Sequence, residues 1–114
     1  EHNLNILSPS NGYYVRWENG LQVCWHSEVR RFPIEETTAD GVFYYGQVAW
    51  NFPAVFLECR YAHMVVRTHP RLILSALGSN ALPVETRAYF FAISMKSIPE
   101  ENRQLGFIAI GRWK

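Results

Sequence analysis

The chain has 114 residues, 48% of them hydrophobic and 15% aromatic, with a formal net charge of +1. This length suits one domain with a real core, and the composition excludes a disordered chain. The near-neutral balance argues against an electrostatic nucleic-acid binder, which needs a concentrated basic face. No apolar run reaches the ~18 residues of a membrane-spanning helix.

Residues 1–11 are polar and end in Ser8-Pro9-Ser10-Asn11, so they read as an entering linker or arm. The start at Glu1-His2-Asn3, without Met, reads as a cut from a longer polypeptide and shows no signal peptide. The domain proper is read as residues 12–114.

Residues 12–26 form the strongest local signal. Two alternating runs flank Glu18-Asn19-Gly20, and Asn-Gly between such runs predicts a hairpin. A two-residue turn would pair Trp17 with Gln22 and mix apolar with polar side chains. A three-residue turn, with Gly20 in the left-handed conformation, pairs Trp17 with Leu21, Val15 with Val23 and Tyr13 with Trp25. One face is then wholly apolar or aromatic, and the other carries Tyr14, Arg16, Glu18, Gln22, Cys24 and His26. A one-residue slip would turn the aromatic face to water, so the three-residue turn is expected.

Residues 27–41 lack sustained periodicity and read as a long loop, with a short strand near 31–34. Residues 42–52 are rich in strand formers, and Pro53 ends the run. In 55–67, Val55, Leu57, Cys59 and Tyr61 alternate with Glu58 and Arg60. Residues 67–71 read as a turn, 72–77 as a strand and 78–83 as a turn. Along 84–96, Thr86, Ala88, Phe90, Ala92 and Ser94 share one side of a long strand. Ser97 and Glu100 have capping-box spacing and predict one helical turn or a plain polar turn. Residues 107–113 are a closing strand. About seven strands with no helical periodicity predict an all-β fold, an antiparallel sandwich or barrel.

Cys24 and Cys59 lie in strand-like runs and read as buried free thiols, with a disulfide as the alternative. Cys24 and His26 share a strand face, the spacing of half a metal site or of a Cys–His pair, but no second pair has ligand spacing. Glu35, Glu36 and Asp40 sit on a predicted loop, a poor holder for the paired acids of glycoside hydrolysis. No nucleophile elbow, phosphate loop or dinucleotide fingerprint occurs. The residues therefore give no support to an enzyme, and no metal or cofactor is expected.

Recognition is better supported. Aromatic faces suit the apolar faces of sugar rings, and arginine suits anionic sugars or phosphates. The candidate ligand-binding residues are Tyr44 and Tyr45, then Arg60, His63, Arg67, His69 and Arg71 near the 67–71 turn. Each tyrosine also reads as a packing side chain, and each arginine as a solvated charge. Trp17, Trp25, Trp50 and Trp113 are assigned to the core or to a subunit interface.

The runs NGY (11–13), NGLQVCW (19–25), WNFPAVF (50–56) and IAIGRWK (108–114) occur in this order. Together they resemble the C-terminal domain of phage and prophage tail-fibre proteins, over residues 11–114. The pattern there is a hairpin with NGL and IxW, an FPxxF strand and a terminal IAIGxW. The resemblance implies an H-type-lectin-like β-sandwich of about six to eight antiparallel strands, assembled as a homotrimer. It implies a receptor-binding tip on an upstream fibre shaft, attached to a bacterial surface polysaccharide such as lipopolysaccharide, or to a protein receptor. It also implies a place in the virion tail fibre, made in the bacterial cytoplasm, with no nucleic acid and no membrane insertion. The alternatives are a stand-alone lectin-like carbohydrate-binding module and a purely structural trimerisation cap.

Overall fold

The computed structural model of the chain describes residues 2–5, 11–67, 73–77 and 85–114. Among these residues nine strands follow in chain order: β1 (His2–Asn5), β2 (Tyr13–Trp17), β3 (Leu21–Ile34), β4 (Glu36–Thr37), β5 (Tyr44–Asn51), β6 (Glu58–Val66), β7 (Leu74–Leu77), β8 (Arg87–Ser94) and β9 (Ile98–Arg112). They form a five-stranded sheet in the order β1-β2-β3-β9-β6 and a four-stranded sheet in the order β4-β5-β8-β7. Every pairing is antiparallel. Among the described residues there is no helix. The fold is the antiparallel β-sandwich the sequence predicts, with one strand more than the upper end of the expected range. The stretch read as an entering arm contributes β1, which pairs with β2 at the sheet edge.

The hairpin register is the expected one. Tyr13 pairs with Trp25 and Val15 with Val23. Gly20 has φ +102°, a conformation glycine adopts without strain, and its amide donates to the Trp17 carbonyl at 3.0 Å. The facing of the hairpin is the surprise. Tyr14, Gln22 and Cys24 point into the sandwich, while Leu21 and Trp25 are exposed on its outside.

The short strand expected near 31–34 is present, but residues 27–30 before it are not a loop: all of 27–34 is the second half of β3, paired with β9 as far as Ile34 opposite Ile98. Charged side chains hide this strand. His26, Glu28 and Arg30 all occupy inward positions and satisfy one another there. His26 Nε2 lies 2.8 Å from Glu28 Oε1, and Arg30 Nε donates to Glu28 Oε2 at 2.7 Å. Arg30 Nη1 also reaches the Ala49 carbonyl of the opposite sheet at 2.9 Å. Of the two readings of Ser97–Glu100, the helical turn is absent: residues 95–97 form a non-helical bend and Ile98 opens β9.

The core lies between the sheets and is largely aromatic. Trp50 stacks on Phe107 with ring centroids 5.1 Å apart. Phe52 meets Trp50 and Phe56 edge-on, at 5.1 and 5.0 Å. Phe90 closes against Phe107 at 5.7 Å. Such pairs contribute about 0.5–1.5 kcal/mol each beyond their buried area. Both phenylalanines of the FPxxF run therefore serve packing. Trp50 is in the core as assigned.

Three polar side chains are buried with partners among the described residues: Ser94 accepts from the Lys96 amide at 3.2 Å, and Gln22 and Arg103 bond across the fold. Gln22 accepts from Arg16 Nε at 2.6 Å and donates to the Ala54 carbonyl at 3.2 Å. Arg103 donates to the carbonyls of Phe32 and Pro99 and pairs with Glu101 at 3.0 Å. No buried side-chain nitrogen or oxygen is left without a partner among the described residues, as a sandwich of this kind requires.

Candidate binding face

The outward side of the five-stranded sheet is built by register. Across β2, β3, β9 and β6, one row runs Tyr13, Trp25, Ile108, His63. The next row runs Val15, Val23, Ile110, Tyr61. Tyr13 and Trp25 stack at 5.9 Å. Tyr61 is 70% exposed, Ile108 41% and Trp25 37%. A bulge at Arg60 makes this arrangement. Cys59 lies opposite Gly111, but Tyr61 already lies opposite Ile110, so the alternation inverts there. Tyr61 is thereby turned outward, away from the side that Cys59 takes.

On the other side of the Trp25 row, Ser27 pairs with Gly106 and Gly106 with Val65. Gly106 has no side chain, so the sheet surface dips there. The result is a groove of about 310 Å³ lined by Ser27, Val65, Arg67, Gln104, Leu105 and Gly106. Arg67 is positioned twice. Its amide donates to the Gln104 carbonyl at 3.1 Å, and Nη1 donates to Gln104 Oε1 at 3.2 Å. Among the described residues no carboxylate lines the groove.

Of the sequence-predicted residues, His63 and Arg67 lie on this outward face and flank the groove. Arg60 sits at the bulge and pairs with Glu58 at 3.0 Å; both side chains are more than half exposed, so the pair contributes little. Tyr44 and Tyr45 fall on opposite sides of β5. Tyr44 packs against the core. Tyr45 lies outside the four-stranded sheet, with its ring 4.8 Å from Phe91. Neither joins Arg67. His69 and Arg71 lie outside the described residues. Trp25, Ser27 and Gln104 were missed as surface partners. A lone glycine in the apolar run 105–110 was the available signal, since it marks a bulge or an open spot.

The inward Cys24–His26 pair carries no reactive thiol. Burial pushes the Cys24 thiol up to about 12, the opposite of what a nucleophilic thiolate needs. Burial likewise pushes Cys59 to about 11, and both cysteines are free. His26 is held by Glu28 and stacked on Phe107 at 6.1 Å. Burial draws Glu28 upward, but the hydrogen bond and charge of Arg30, with the bond from His26, outweigh it and leave the carboxyl below its ordinary value. Among the described residues no three His, Cys, Asp or Glu side chains gather as metal ligands.

Comparison with protein-family models, with curated proteins and with solved structures returned no match.

Proposed function

We propose that this domain is the receptor-binding tip of a phage tail fibre, or of a phage-tail-like bacteriocin. In this reading it assembles as a homotrimer and attaches the particle to a bacterial surface glycan. The observation that carries the reading is the outward face of the five-stranded sheet. Its two central rows hold apolar and aromatic side chains with no carboxylate, lysine or arginine. Val15 is already buried and Tyr13, Val23 and Ile110 are half-buried, but Trp25, Ile108 and Tyr61 are exposed, and exposed apolar side chains grouped in this way mark interfaces. Support also comes from the runs that resemble tail-fibre tips, two of which meet in space. The Trp113 amide donates to the Gly20 carbonyl at 2.9 Å, and its indole donates to the Trp17 carbonyl at 2.8 Å. The NGL turn and the terminal GRW segment thus form one structural unit.

The mechanism is multivalent attachment. Three copies per fibre, and several fibres per particle, convert weak single-site contacts into high avidity. Such a role needs a rigid scaffold and a shaped surface rather than a reactive group.

Light scattering after gel filtration tests the assembly. A mass near three times 13.2 kDa is expected, and Ile108→Asp, placed in the exposed apolar row, should give a folded monomer. A wild-type monomer overturns self-assembly of this domain through that face. Binding to bacterial cells, with and without their surface polysaccharide, tests the attachment. A trimer that binds no cell fits the structural cap instead.

A further inference from the structure

We propose that the Gly106 groove binds an oxyanion carried on a sugar, with Arg67 as its donor fork. This deepens the glycan-attachment reading and rests on it for the sugar, though not for the charge.

Three features point to a negatively charged group. Among the described residues, Arg67 brings a guanidinium to the rim of a groove that no carboxylate lines. Its side-chain partner among them, Gln104, is neutral and bonds only Nη1, so Nε and Nη2 remain to meet two oxygens side by side. The Ser27 side chain stands across the glycine from Val65 and adds a hydroxyl that donates or accepts.

The sugar part follows from the groove's own walls. Val65 is 57% exposed beside Gly106, and Val29, two residues after Ser27 on the same outward side and opposite Gln104, is 64% exposed. From the Gly106 row to the Arg67 row, and from β3 to β6, the face measures roughly 7 Å by 10 Å, from ~3.4 Å per residue and ~4.8 Å between strands. A single sugar ring can therefore lay an apolar face on these valines while its acidic group reaches Arg67. The Arg60–Glu58 pair, by contrast, is already neutralised.

The test is a titration of the full chain followed by amide and arginine-side-chain NMR. The probes are glucuronate, glucose 6-phosphate and glucose, at matched ionic strength. The Ser27 and Gly106 amides and the Arg67 Nε–H should shift saturably with both anions. Glucose should bind at least tenfold more weakly. Arg67→Gln should lower the affinity for both anions at least tenfold; Arg67 is exposed, and its backbone bond to Gln104 survives the change. Gly106→Val should also block binding in a folded domain, because a Cβ there meets only Val65 Cβ, at 4.0 Å.

Glucose binding as well as glucuronate, full affinity in Arg67→Gln, or no shift with either anion would each overturn the proposal. Binding of glucuronate alone assigns a carboxylate, and of glucose 6-phosphate alone a phosphate; both support it. A domain that binds cells but ignores the anions loses this inference and keeps the attachment reading. One that binds the anions but no cell keeps the groove and loses attachment.

Discussion

Gly106 and Gly111 lie five residues apart on β9, yet alanine should act on them in opposite directions. At Gly111 a Cβ would stand 2.2 Å from the Glu58 carbonyl oxygen and 2.8 Å from Cys59 Cα. Real Cβ atoms essentially never come within 3.0 Å, so the β6 backbone would have to retreat by about 0.8 Å from that oxygen. The bulge and the β9–β6 ladder hold it there. Overpacking of this kind costs about 1–3 kcal/mol and more where backbone is struck, so Gly111→Ala should cost ~3 kcal/mol. At roughly 4 °C per kcal/mol for a domain of this size, the midpoint falls by about 12 °C. At Gly106 the added Cβ reaches no backbone atom, and relief of glycine's strand entropy should add about 0.5–1 kcal/mol. Thermal and guanidinium unfolding of both variants, fitted as two-state, measures the contrast. If the two fall within ~1 kcal/mol of each other, the close approach of β6 to β9 is wrong and the reasoning fails.

Trp113→Phe removes the indole donor to Trp17 and replaces the indole that faces Arg16 at 4.9 Å with a smaller ring. It should cost about 1–2 kcal/mol, read by urea unfolding. High pH should also destabilise the fold. Folded Cys24 and Cys59 hold their protons to about 12 and about 11, against an ordinary 9.0. Their contribution is fully present below pH 9 and is lost as pH rises through the folded values. Cys24→Ala should reduce the slope of stability against pH above 9. At the acid end the sign reverses. Glu28 sits below its ordinary 4.5, so its contribution is present above that pH and is lost as pH falls. Glu28→Gln should flatten the acid limb of the stability profile.

How far the fold was legible follows from what each signal contains. The Asn19-Gly20 turn fixed the register through Val15 and Val23, because a turn and an alternation together specify which residues meet. They do not specify which face looks inward. That choice is made by the second sheet, whose Val48, Trp50 and Phe90 pack on Cys24, Phe107 and their neighbours. Residues 27–30 escaped notice because Glu28 and Arg30 are inward and paired, so their charge imitated a loop. The Arg60 bulge was invisible for a different reason. Alternation read from sequence assumes no inserted residue, and one insertion moves Tyr61 to the opposite side. The site was half legible. His63 on β6 and Arg67, just past its end, were named from their residue types and are exposed, whereas the groove exists only through a cross-strand row of Ser27, Gly106 and Val65.

The inversion of the hairpin bears on assembly. Its inward face contains Gln22, Cys24 and His26, with Arg16 bonded to Gln22, and these polar groups are satisfied by the Ala54 carbonyl, Glu28 and one another. Its outward face contains the more apolar set, Tyr13, Val15, Leu21, Val23 and Trp25. A chain that folded only to hide apolar area would turn the hairpin over and lose each of those polar partnerships, at about 1–3 kcal/mol for every buried group left unpaired. A second copy resolves the conflict without that loss. It removes the outward rows from water at about 25 cal/mol per Å² of apolar area and leaves the inner network intact. The residues that made the hairpin look like core are then core in a different sense, buried between copies of the chain. On that account the Arg67 groove, one row beyond, stays open at the rim, where a glycan can still reach it.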